Sequence, residues 1–337
     1  MRIGWRALLG IALSVLLLWA TLRDVAIGRV LTLLSTSNGV LWLACTVTAT
    51  AIFPLRARRW QAILAPLGTR IPVAPLWHAT AIGMMVNNVV PARAGELARA
   101  FSLTRARPDV PFGAALGSLV VDRLFDGTIV LLLLLAATLD PRFPADATVL
   151  GWSAGRIAGV AATVLGVVLL GLAGLVLAPD VLSRAAERGV GLISPAAGRR
   201  VRALVESVAA GVAVLRSPAL VREVAWWTLL HWITNAVAFW LGFRALGLDA
   251  PLSAAFFLQG IIAIGVAIPQ APGFFGVFEA AGKAGLALYL VPADAAVSWA
   301  IGFHLLSFVP ITVIGAWYLA RQRWHLRDLA APSQETV

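Results

Sequence analysis

Apolar positions along the chain fall into blocks, not into an amphipathic rhythm. A run of about 20 apolar residues reads as a spanning helix, because at 1.5 Å per residue it crosses a hydrocarbon layer roughly 30 Å thick. Such blocks lie at 4–22, 38–55, 112–138, 156–178, 222–247 and 296–320. No small-x-small cleavage site follows the first block, and Trp19 closes it as an interfacial anchor would. It therefore reads as an uncleaved first span. The second block is closed by Arg56, Arg58 and Arg59, the signature of a loop on an anionic leaflet.

Two stretches break this pattern. Segment 76–107 is interrupted at Asn87-Asn88-Val89-Val90-Pro91, and 252–290 at Pro269-Gln270-Ala271-Pro272-Gly273. Each half is about 16 residues, some 24 Å, which is marginal for a span. The pattern predicts two re-entrant helical hairpins, each entering and leaving on one side; pairs of short tilted spans are the alternative. The expected architecture is an all-α polytopic membrane protein of about six spanning helices and two Pro-broken re-entrant hairpins.

Charge orients this arrangement. The chain has 337 residues, is 60% hydrophobic and 13% charged, and carries a net charge of +11. A soluble domain holds about twice that charged fraction. With the N-terminus in the cytoplasm, pieces 1–6, 56–75, 92–110, 179–222 and the tail hold 20 of the 26 arginines. The outer pieces hold Arg23, Arg29, Arg142, Arg156 and Arg244, leaving Arg123 within the membrane. That obeys the positive-inside rule with both termini in the cytoplasm. Because the arginines flank apolar segments, a nucleic-acid partner is not expected. Residues 1–140 and 150–320 then read as one transmembrane domain of two halves, each span, span, hairpin, span, in opposite orientation. Such an inverted-topology repeat places a transporter's substrate site near the midplane. Region 179–220 reads as a cytoplasmic connector with an amphipathic helix, its apolar face including Val201, Leu204, Val208 and Val212.

Three constellations could carry chemistry. In Asn87 to Arg99, Pro91 suits the first turn of a half-helix whose N-terminus points inward and favours an anion. Arg93 and Arg99 add charge suited to phosphate, and Asn87 and Asn88 can satisfy broken backbone groups. The structural reading is that Glu96 pairs with Arg99. In the second, Gly273 and Gly276 permit close backbone approach, while Glu279 and Lys283 either serve a ligand or pair with each other. In the third, Asp122 and Asp126 share a helix face about 15 Å deep, with Arg123 turned away. They bind substrate, or hold Arg93 or Arg99 in an ion pair that locks the hairpin. His231 and His304, lone histidines in spans, read as interhelical hydrogen-bonders. The single cysteine and scattered histidines offer no metal site, and no cofactor is expected. No phosphate-binding P-loop, nucleophile elbow or H-E-x-x-H is present, so neither ATPase nor hydrolase chemistry is expected and no catalytic residue is assigned.

N-x-x-P-x-R-x-G-E-x-x-R, then D-R-x-x-D, then P-x-x-P-G-x-x-G-x-x-E, resemble the flippase-like membrane domain of lysylphosphatidylglycerol synthetases over nearly the whole chain. The resemblance implies lipid movement between leaflets and carries over Asn87, Pro91, Arg93, Gly95, Glu96, Arg99, Asp122, Arg123, Asp126, Pro272, Gly273, Gly276 and Glu279. Stand-alone relatives are associated with hopanoid, polyprenyl-phosphate or glycolipid pathways. The expected function is a lipid transporter or flippase, with Asn88 and Lys283 added to its substrate-binding residues. The expected partner is a lipid with an anionic headgroup, with a lipid-biosynthetic enzyme or a second copy of the chain as protein partners. A membrane-embedded transferase on a lipid phosphate, a small-solute transporter and a non-catalytic assembly partner are the rivals.

Overall fold

The computed structural model describes residues 5–68, 71–90, 94–149, 151–192, 194–202, 217–267 and 271–322. Its helices are α1 (Trp5–Leu22), α2 (Ile27–Ser35), α3 (Gly39–Leu64), α4 (Val73–Val89), α5 (Gly95–Ala106) and α6 (Phe112–Ala137), then α7 (Ala154–Leu177), α8 (Pro179–Gly191), α9 (Pro218–Ala245), α10 (Leu252–Ala267), α11 (Val277–Leu288) and α12 (Ala293–Arg321). A two-residue β-hairpin, Thr148–Val149 with Trp152–Ser153, precedes α7. Helix starts follow local chemistry. The Asn38 side chain accepts from the amides of Val40 and Leu41, and Ser153 and Ser217 cap α7 and α9 in the same way.

Apolar side chains face outward along the long helices. Val40, Leu43 and Val47 are exposed on α3, and Val309, Val313 and Trp317 on α12. Stripes of this kind suit lipid and not water. Among the described residues, Gly39–Leu67 and Ala293–Arg321 are long and apolar enough to cross a membrane. Shorter apolar helical stretches lie at Ala12–Leu22, Gly155–Gly171 and Leu252–Val266.

Two features differ from the sequence pattern. α3 does not stop at the basic cluster but runs on through Arg56, Arg58 and Arg59 to Leu64, with Pro54 inside it. Arg56 and Arg59 are buried, so this stretch is not a leaflet-facing loop. The short α2, in a stretch expected to be loop, buries Val30 toward Val297 and turns Ile27 and Leu31 outward.

The two interrupted stretches fold as packed helix pairs. α4 and α5 cross so closely that a Cβ added at Gly95 would sit 2.1 Å from the Gly83 carbonyl oxygen. Both arms root in one apolar cluster holding Ile63, Ile71, Leu76, Leu103 and Val110, which also receives the start of α6 at Ala115. α10 and α11 pack through Gly265 against Val277 and Gly285 against Leu258. Their open ends root in another cluster, with Phe257 and Leu288 beside Leu134 and Ala137 from the end of α6. Since α6 runs from the first cluster to the second, the two pairs open toward opposite ends of the bundle. Contacts repeat under exchange of the halves: α4 lies on α12 as α10 lies on α6, and α3 packs on α9 at the centre.

Candidate functional site

Charged side chains gather where α3, α5 and α6 meet. Asp122 and Asp126 sit one turn apart on α6, and Arg59 of α3 reaches both. Its Nη1 donates to Asp126 Oδ1 at 2.5 Å, and its Nη2 lies 2.6 Å from Asp122 Oδ1. Arg99 of α5 donates from Nη1 to Asp122 Oδ2 at 2.9 Å and stacks on Trp60, 4.0 Å from the ring centre. Arg56 stands 3.6 Å from Asp122 Oδ2 and directs its other arm at the Met84 sulfur. Trp232 of α9 donates to Asp126 at 2.8 Å. Arg59 and Asp122 have no solvent exposure at all.

Arg123 points away from this core, as its place on the helix requires, and bridges Glu96 and Asp126. The expected Glu96–Arg99 pair does not form, because Asp122 has taken Arg99. Four arginines, Arg56, Arg59, Arg99 and Arg123, thus face three carboxylates, Glu96, Asp122 and Asp126. Among the described residues the arginines of this group outnumber its carboxylates by one. The Nε atoms of Arg56, Arg59 and Arg99, and Arg99 Nη2, are buried without a hydrogen bond among the described residues. Buried donors are rarely left so, and a charged donor without a partner is costly. The arrangement suits a bound anion.

Glu279 forms a separate site. It does not pair with Lys283. Its Oε2 accepts the amide of Gly276 at 2.6 Å, and its Oε1 lies 2.6 Å from His304 Nδ1 on α12. His304 Nε2 in turn lies 2.7 Å from the carbonyl oxygen of Gly273, in the turn Pro272–Phe274. Gly273 and Gly276 have φ of 70° and 84°, which favour glycine. Lys283 leaves the cluster, donating to Thr21 O at 2.9 Å and Asp24 at 2.6 Å. The hydrogen bond from Lys283 holds the Asp24 carboxyl below its usual 3.8.

One amide at each of the two helix starts is already taken. The Gly95 amide donates to Asn87 Oδ1 at 2.9 Å, as the Gly276 amide does to Glu279. Asn88 donates to Thr312 at 2.7 Å and lies 3.5 Å from the Phe308 carbonyl oxygen, while the Phe308 ring packs against Gly273 and Phe275. The two breaks are therefore joined through α12. Pro91 and Arg93 lie outside the described residues, as do Pro269 and connector residues 203–216.

Arg56, Arg59, Trp60, Trp232 and His304 were not assigned to a site from sequence. The spacing of Arg56 and Arg59, three apart after an apolar run, could have suggested a helix continued inward. No three His, Cys, Asp or Glu side chains converge as a metal would require among the described residues. A surface recess of about 420 Å³ lined by Arg142, Trp240, Arg244 and Asp249 contains none of the site residues.

The family model described as "Lysylphosphatidylglycerol synthase TM region" matches residues 7–315. Among curated proteins, the chain is 29% identical over 303 residues to Glycosyltransferase AglD of Haloferax volcanii. The match takes in 81% of this chain and 47% of that protein, so the chain spans about half the relative's length.

Proposed function

The chain belongs to the lysylphosphatidylglycerol synthase transmembrane-region family, and from that premise we propose that it moves a phosphate-bearing lipid between leaflets of a bacterial cytoplasmic membrane. It is a helical membrane protein of a lipid-related family. The observation that carries the proposal is the buried cluster in which Arg56, Arg59 and Arg99 meet two carboxylates, Asp122 and Asp126, with N–H donors that find no acceptor among the described residues. A lipid phosphate supplies negative charge and acceptors for those donors.

Asp122 competes with that phosphate for Arg99 and Arg56. It keeps the arginines folded inward in the empty state, and yields them when an anion arrives. Arg123 and Glu96, half-exposed beside the core, exchange partners as the headgroup passes, while acyl chains stay in lipid. Two helix pairs opening toward opposite ends, with contacts repeated between the halves, support reading them as re-entrant hairpins of an inverted repeat. In this scheme the chain is a transporter and not an enzyme, and the termini are cytoplasmic.

A second reading, a transferase on a lipid phosphate, is favoured by the name of the Haloferax relative. The same arginines would hold its substrate.

Purified protein in vesicles containing NBD-labelled phosphatidylglycerol tests both. Exchange between leaflets, read by a membrane-impermeant quencher, is expected with wild type and at least about tenfold slower with Arg99→Gln, a loss equal to one charge-assisted contact. Equal rates in empty and protein-containing vesicles, for this and for polyprenyl-phosphate probes, would rule out lipid movement. Donor-dependent modification of the lipid would establish the transferase instead.

A further inference from the structure

The contacts of His304 constrain its protons. The Gly273 carbonyl oxygen, 2.7 Å from Nε2, can only accept, so Nε2 carries a hydrogen. The partner of Nδ1 is a carboxylate oxygen at 2.6 Å. That contact is a hydrogen bond in two cases: the imidazole is doubly protonated beside an ionised Glu279, or it is neutral beside a protonated Glu279. Both forms hold one proton more than neutral histidine with ionised glutamate. Loss of that proton to water takes the pair from net zero to one negative charge. It also leaves the Nδ1 lone pair facing a carboxylate in a site where Glu279 is 2% and His304 6% exposed. Such a contact is repulsive and poorly solvated.

We infer that Glu279 and His304 form a proton-binding site that locks the turn 271–276, and that release of its proton frees this turn. The proton is thereby the coupling ion for the lipid movement proposed above, on which this last step rests. His304 bonds the turn at Gly273 and Glu279 bonds it at Gly276, so the protonated Glu279–His304 contact ties the two sides of the turn together. Within the turn Phe274 is held at φ 63°, a conformation costly for a residue with a Cβ. Motion of the turn reaches the other break through Phe308, which touches Gly273 and whose carbonyl oxygen is met by Asn88.

Among the described residues, few other charges face the pair. α11 adds Lys283 one turn on, neutralised by Asp24 from the end of α1. α1 presents Ser14, α4 presents Asn88 and α12 presents Thr312, none of which titrates. Phe275, Phe278 and Phe308 enclose the imidazole. The arginine cluster makes no ion pair with Glu279 or His304 among the described residues.

The test places a single cysteine in the turn, Ala271→Cys with Cys45→Ala, and measures its maleimide labelling from acid to alkaline pH. Labelling of the exposed Leu139→Cys in the same background corrects for the thiol's own ionisation. The corrected rate is expected to climb about fivefold or more through one titration step as the lock opens. Glu279→Gln keeps every hydrogen bond, since its amide donates to Nδ1 and its oxygen accepts from Gly276, but it cannot lose the proton. With it the rate is expected to stay flat at the low value. A flat rate in the parent, or an unchanged step in Glu279→Gln, overturns the proposal; His304→Gln serves if Glu279→Gln is not monodisperse. In vesicles with NBD-phosphatidylglycerol, an imposed pH gradient should change the exchange rate of wild type and not of Glu279→Gln. Exchange indifferent to the gradient overturns the coupling. No exchange at all counts against the lipid reading, and the labelling result then decides the proton site.

Discussion

Asp122 is the residue on which the arginine cluster closes. Arg59, Arg99 and Arg56 all turn toward it, and it is wholly buried. Replacing it with Asn leaves several guanidinium groups facing one another in a dry site. The expected loss is about 3–5 kcal/mol, the usual cost of breaking a buried pair from one side. Thermal unfolding in detergent should show it as a large fall in Tm. The exposed Arg107–Asp109 pair serves as the control, and Arg107→Gln is expected to leave the Tm unchanged. The i, i+4 spacing of Asp122 and Asp126 was legible because helix geometry alone puts both on one face. Their partners were not. A basic cluster after an apolar run looks the same whether it meets water or two buried carboxylates. Similarly, Glu279 and Lys283 have the spacing of a helix pair, and nothing local signals that His304 and Asp24 outcompete it.

At the scale of elements, the close crossing of α4 and α5 sets the site, because Arg99 leaves α5 one turn beyond Gly95. Gly95→Ala would drive its methyl into the Gly83 carbonyl and the Asn87 side chain. The expected result is a helix pair pushed apart, with loss of lipid exchange and a Tm drop comparable to that of Asp122→Asn. Gly117→Ala on α6 meets nothing within 4 Å, and should be neutral or stabilising by up to about 1 kcal/mol from helix propensity. Equal effects of the two substitutions would show that the crossing is not tight. Most helices were readable from block length, with ends within a few residues. The last three turns of α3 were not, since their stability comes from buried ion pairs and packing around Trp60, not from an apolar run. α2 was missed because nine residues are too few for the pattern to speak.

Across the whole molecule, the clusters at the two ends of α6 define opposite faces. The loops near Ile71 and Val110 belong to one, those near Phe143 and Tyr289 to the other. In intact cells, an impermeant thiol reagent is expected to reach Leu139→Cys from outside and to reach Arg105→Cys only after permeabilisation. Reaction of both from one side would contradict the proposed orientation and the opposed hairpins alike. The charge bias that set this expectation is a property of loops summed over the chain, so it survives errors in individual helix ends.

Hydrophobic block length, two proline breaks and the arginine bias sufficed to establish a helical membrane protein with interrupted segments. These are signals a chain must carry locally, since hydrocarbon tolerates no unsatisfied backbone and no stray charge. The pairing of charges is not local. Arg59 with Asp126, Arg99 with Asp122 and Glu279 with His304 are each contacts between different helices, chosen by which side chains the packing brings within 3 Å. Folding turned a loop-like basic cluster into a buried network of ion pairs, and a lone histidine into the partner of Glu279.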